Sequence, residues 1–162
     1  ALGFNVEQVE TAVSVIKQAC SENKDILIFG DYDADGICAT ATLWEAIKDL
    51  GCTARPFIPH REKHGYGLTV AALQEIIENK KPHLIITVDN AIVAHAAAQY
   101  AREQNVPLII TDHHQPEVDA NNNPYFPNAE AIVHTTQLCG TTVLSKKVWI
   151  YVAWPQSVTR SH

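Results

Sequence analysis

The strongest constraint on the fold is a repeated alternation along the chain. Short runs that are apolar on both faces, such as Asp25–Gly30 (DILIFG), His83–Val88 (HLIITV) and Pro107–Thr111 (PLIIT), alternate with longer stretches of helical periodicity. A run that is apolar throughout and only five or six residues long suits a strand covered on both faces. Strands separated by single helices form βαβ units, which force the strands parallel. Asn5 can cap a helix reaching about Cys20, with Val6, Val9, Val13 and Ile16 on one face. Ile37–Leu50 reads as a helix stopped by Gly51, and Thr69 caps another reaching about Asn79. Ile92–Gln104 is an Ala-rich helix, Glu117–Asn128 a polar loop, and Thr141–Trp154 a further helix. With Thr53–Ile58 and Ala129–His134 as two more strands, the expected fold is α/β: a mainly parallel five-stranded sheet flanked by helices.

In open α/β sheets, ligands bind beyond the carboxyl ends of the strands. Three acidic clusters fall there: Asp31-Tyr32-Asp33-Ala34-Asp35-Gly36 after the first strand, Asp89-Asn90 after the third, and Asp112-His113-His114 after the fourth. One such cluster is ordinarily a helix cap or a solvated turn. Three on one edge repel each other unless a cation joins them. The first run matches a calcium loop at Asp31, Asp33, Asp35 and Gly36, but the twelfth position is Thr42, and a strand precedes it instead of a helix. Carboxylates with imidazole suit Mn²⁺ or Mg²⁺ better than Zn²⁺. Several carboxylates around a small space suit two ions about 3.5–4 Å apart, which activate water and stabilise the leaving oxygen of a phosphodiester. Asp89, alone at its strand end, is placed to bridge them.

Charge and cysteines narrow the partners. A net charge of −6 argues against a broad basic face for nucleic acid, although bound cations would offset part of it. Local cations sit in Arg61, Lys63 and His64, ahead of Gly65-Tyr66-Gly67. This loop can contact phosphate while Tyr66 stacks on a base; the plain alternative is a solvated basic turn. His60, His83 and His95 read as structural or surface histidines, and His134, at the end of the fifth strand, matches no position of the site motifs. Trp44 reads as a packing residue. The four cysteines (Cys20, Cys38, Cys52, Cys139) are scattered without a CxxC pair, so free thiols in a reducing cytoplasm are expected. The apolar stretches are too short to span a membrane, and the first ten residues lack the pattern of a secretory signal.

Taken together, GDYDADG (Gly30–Gly36), TVDN (Thr87–Asn90) and TDHH (Thr111–His114) resemble, in order and spacing, the first three motifs of the DHH phosphoesterase superfamily. Within it the chain is similar to the RecJ branch, on IFGDYDADG, the IPHREKHGYGLT segment at Ile58–Thr69, and LCGTTV at Leu138–Val143, which resembles LCGxGV. Phe29 stands where the pyrophosphatase and oligoribonuclease branches carry His. The resemblance covers about residues 1–152. It implies that Asp33, Asp35 and His113 are metal ligands and that Asp89 bridges the ions. It implies that Asp31 is a ligand or lies just behind one, that Asp112 orients His113 or its loop, and that His114 faces the scissile phosphate. Arg61, His64, Tyr66 and Asn90 would contact substrate. The implied cofactor is Mn²⁺ or Mg²⁺, and the implied activity is 5′ to 3′ digestion of single-stranded DNA.

Three departures accompany it. Ala91 replaces a usual Gly, which is cheap at negative φ and strained at positive φ. His134-Thr135 replaces a usual Asn-Pro. The family's fourth metal aspartate is not found. On this reading residues 1–154 are a DHH domain incomplete at its C-terminal end, residues 155–162 an irregular tail, and nuclease activity of the chain alone is weak or absent. Two rival functions stand beside it. One is a phosphoesterase acting on short oligonucleotides or small phosphate compounds. The other is a non-catalytic module that binds nucleic acid or a protein partner, as in the replication-helicase component of the superfamily.

Overall fold

The computed structural model describes residue 3 and residues 5–138. The helix expected at Thr141–Trp154, the tail, Cys139 and most of LCGTTV lie outside the described residues.

Helix α1 (Val6–Ser21) begins where expected, with the Asn5 side chain accepting from the Gln8 N–H at 3.4 Å. Strand β1 (Ile26–Phe29) follows, buried along its whole length. Helix α2 (Ala34–Asp49) starts three residues before the expected Ile37, because Asp33 is its cap and accepts from the Gly36 N–H at 2.8 Å. It ends at a turn in which Gly51 takes φ +78°. Strand β2 (Ala54–Phe57), a one-turn helix α3 (Arg61–His64), α4 (Val70–Lys80), β3 (Leu84–Val88), α5 (His95–Glu103) and β4 (Leu108–Asp112) complete the alternation. Two short strands, β5 (Glu117–Val118) and β6 (Pro124–Tyr125), form a hairpin inside the expected polar loop. Asp119 closes its turn by accepting from the Asn121 and Asn123 N–H groups. Strand β7 (Ala131–His134) is last.

The main sheet has five strands in the order β2-β1-β3-β4-β7, all parallel, as the alternation predicted. One core lies on the α1/α2 side of the sheet (Val9, Ile16, Leu43, Ile47, Ile28, Ile86). The other lies on the α4/α5 side (Leu73, Ile76, Ala98, Leu27, Phe29, Ile110). Burying both faces explains why the strands read as unbroken apolar runs. Edge strand β7 is covered by α1, whose Gln8 Oε1 accepts the Ile132 N–H at 2.8 Å. Trp44 packs as expected and donates its indole N–H to the Ala54 carbonyl at 3.0 Å. No helix among the described residues is long and apolar enough to cross a membrane.

The expectation of free thiols fails at two cysteines. Cys20 and Cys52 form a disulfide, with Cα atoms 4.9 Å apart. Their 32-residue separation hides the fact that the end of α1 and the turn into β2 meet beside the same edge of the sheet. Cys38 is free and exposed.

Candidate metal centre

The parallel sheet puts the ends of β1, β3 and β4 side by side, and so brings the three clusters to one edge. Asp89, His113 and His114 offer ligand atoms that all lie within 4.8 Å of one another. His113 Nε2 is 2.9 Å from Asp89 Oδ1 and 3.9 Å from Asp35 Oδ2, so it ties the β3 loop to the first turn of α2. His113 and His114 pack against each other, ring centroids 4.5 Å apart. Asp33 is more exposed, and one of its oxygens is engaged in capping α2. The helix N-terminus favours negative charge at both Asp33 and Asp35. Gly36 allows α2 to start against Asp31: a Cβ there would meet the Asp31 Cβ at 2.6 Å.

Asp31 and Asp89 are both buried. Asp31 accepts from the Tyr32 N–H at 2.6 Å, and burial, joined by the charges of Asp33 and Asp112, pushes its carboxyl above the ordinary range. Asp89 is more extreme. Burial first, then the neighbouring charges of Asp35 and Asp33, push its pKa up to about 7. Its Oδ1 is buried with no hydrogen-bond donor, since the His113 contact lacks hydrogen-bond geometry. Its backbone is held at φ +63°, and Ala91 at φ +85°, which decides the open question at that position on the strained side.

Asp112 is buried too, but fully bonded. Its Oδ2 accepts the Ile92 N–H at 2.9 Å. Its Oδ1 accepts the His113 N–H at 2.7 Å, the His114 N–H at 3.1 Å and the His114 ring at Nδ1, 2.6 Å away. The ring it bonds is that of His114; toward His113 it acts through the loop backbone, the second of the two roles expected of it. Burial opposes a charge on His114, but the Asp112 carboxylate overrides it and holds the imidazole above its usual pKa. With Nδ1 engaged, Nε2 is the nitrogen left to meet a ligand.

At the mouth, the Arg61 guanidinium lies 5.4 Å from the centre of the Tyr32 ring, and Tyr66 packs edge-on against Tyr32 with centroids 6.5 Å apart. Tyr66 is 65% exposed, and partial burial together with the Asp31 charge raises its hydroxyl pKa. Tyr32 was missed in the sequence; its signal was an aromatic residue set among acidic ones in the first loop. His64 does not reach this group. Its side chain is 8% exposed, its Nδ1 accepts the His60 N–H at 2.8 Å, and its ring packs on Phe57. Gly65, at φ +77°, turns the chain after α3. Asn90 is buried; its amide nitrogen donates to the Val88 carbonyl at 2.8 Å and its Oδ1 has no partner. His95 is structural as expected, stacked on Tyr125 at 4.3 Å.

The fold and the three motifs meet in one classification: the chain belongs to the DHH family, whose N-terminal domain matches residues 25–157. Within the family it is similar to the single-stranded-DNA-specific exonuclease RecJ. It is 40% identical to that of Bacillus subtilis over 134 residues, 83% of this chain and 16% of the relative. It is 38% identical to that of Escherichia coli over 127 residues, 78% of this chain and 21% of the relative. The crystal structure of an exonuclease RecJ bound to manganese superposes with a TM-score of 0.78 at 30% identity, covering 94% of this chain and 38% of that one. The chain thus spans only about a fifth of the length of these curated relatives.

Proposed function

We propose that this domain holds the metal centre of a phosphodiesterase that digests single-stranded DNA from the 5′ end, in repair and recombination in the cytoplasm. The observation that carries this reading is Asp89. A buried carboxylate beside two histidines, with one oxygen lacking a donor, is costly for the protein alone and suits a cation. Hard oxygen donors with imidazole fit Mn²⁺ or Mg²⁺. In this reading Asp33, Asp35, Asp89 and His113 would hold the ions, and Asp31 would stand with them or just behind. Such ions supply Lewis acidity and a lowered pKa for bound water. His114, braced by Asp112, presents its ring to the scissile phosphate and holds or moves a proton there. Arg61 offers a charge to the strand, and Tyr66 with Tyr32 offers surfaces on which bases stack. Asn90 holds the loop behind Asp89 through its bond to the Val88 carbonyl, and its unpartnered Oδ1 would be its contact to substrate. The named relatives are DNA exonucleases, which favours this reading over the small-phosphate and non-catalytic alternatives.

Calorimetric titration with Mn²⁺ tests the centre. The expected result is saturable binding that Asp89→Asn weakens about 100-fold or more. A wild-type chain that takes up no Mn²⁺ would sink the reading.

A further inference from the structure

Strand β7 pairs with β4 so that His134 lies opposite Asp112, level with the metal centre. His134 Nε2 is 2.7 Å from the main-chain carbonyl oxygen of His114. A carbonyl can only accept, so His134 must carry a proton on Nε2. Phe126, just beyond β6, packs edge-on against the His134 ring with centroids 5.7 Å apart and fixes its direction. Asp112 takes the N–H groups of His113 and His114, while His134 takes the carbonyl of His114. The peptide units that carry both imidazoles are thereby gripped from two strands.

We infer that His134 is a positioning residue for the metal centre: its hydrogen bond to the His114 carbonyl fixes where the two neighbouring rings point. It touches neither ion nor substrate in this role. The inference rests on the proposed metal reading for its purpose, but the grip itself can be measured without metal. Donors that orient a metal's ligands commonly contribute 10–100-fold to affinity. The contact needs only an N–H at this point, so an amide can replace the ring and a phenyl cannot.

The test compares His134→Phe with His134→Gln in the full chain, by two readouts. The first is amide hydrogen exchange at His113 and His114 in metal-free protein. The second is Mn²⁺ affinity by calorimetry. His134→Phe keeps the ring volume against Phe126 and is expected to speed exchange at both amides several-fold and weaken Mn²⁺ about 10-fold. His134→Gln should restore most of both. Wild-type exchange in His134→Phe overturns the inference, as does a folded His134→Gln that fails to restore it. If the unaltered chain binds no Mn²⁺, the metal reading has failed, and the exchange arm still decides whether His134 grips the loop.

Discussion

Asp89 and Asp112 end neighbouring strands of one sheet and are equally buried, at 2% and 1% exposure. Their surroundings differ completely. Asp112 accepts hydrogen bonds from three backbone amides and stands against a ring nitrogen of His114. Asp89 has an oxygen that receives no hydrogen bond, only the nearby His113 Nε2 at 2.9 Å, and sits on a backbone turned to φ +63°. A buried carboxylate is tolerated when its lone pairs are satisfied, and is costly when they are not. The contrast separates two uses of one residue type. Asp112 is bonded inward and builds the loop, whereas Asp89 is left short of partners and has capacity for something that arrives from outside.

The largest expected effect tests the inward half of this comparison. Asp112→Ala strands the Ile92, His113 and His114 amides in a buried setting, and should cost about 4 kcal/mol in urea unfolding of metal-free protein. Asp89→Asn removes a destabilising charge and should cost less than about 1 kcal/mol under the same conditions. Equal losses from the two substitutions would break the comparison.

The next effect is on pH dependence, and its sign follows from the raised carboxyl. Unfolded, Asp89 titrates near 3.9; folded, it titrates at about 7. Between those values the folded state holds the extra proton, so stability falls as pH rises and levels off above about 7. Asp31, also raised, contributes in the same direction. His114, raised by Asp112, adds stability that is present below its unfolded pKa near 6.5 and is lost as pH climbs through its folded value. With solvent screening allowed for, the Asp89 share is about 2 kcal/mol between pH 4 and 7. Urea unfolding across that range should show the decline, and Asp89→Asn should flatten most of it. Excess Mn²⁺ should oppose it, since cations need the ionised carboxylate and bind more tightly as pH rises. A metal-free stability that climbs between pH 4 and 7 would contradict the raised Asp89.

Much of this arrangement was legible in the sequence because it depends on local pattern. ILIF and LIIT read as buried strands, and parallel strands of similar length end level with one another, so the three clusters had to share an edge. What escaped depends on tertiary placement. Nothing local in Cys20 or Cys52 says that the end of α1 meets the turn into β2. His64 sits in a basic, glycine-flanked loop, yet its ring turns inward onto Phe57. Helix α5 starts at His95 instead of Ile92, because the chain first makes a tight turn from the positive-φ Ala91, with the Ala94 N–H donating to the Ala91 carbonyl at 3.0 Å. His134 gained its role only from the register of β7 on β4.

The smallest effect bears on what holds the Asp89 loop in its shape. Ala91 sits at φ +85°, where a Cβ costs about 1 kcal/mol or more. Glycine there relieves the strain but loses more entropy on folding, about 0.5–1 kcal/mol. Ala91→Gly should therefore stabilise by no more than about 0.5 kcal/mol, measured by urea unfolding. Asp112 couples the two loops at this point, because its Oδ2 accepts the Ile92 N–H next to the strained residue. If that bond enforces the strain, the loop relaxes in Asp112→Ala, and Ala91→Gly then gains nothing in that background. A double-mutant cycle reads the difference directly. Full additivity would mean that the β3 loop keeps its strained turn without Asp112, and that the bonded aspartate does not shape the site of the unbonded one.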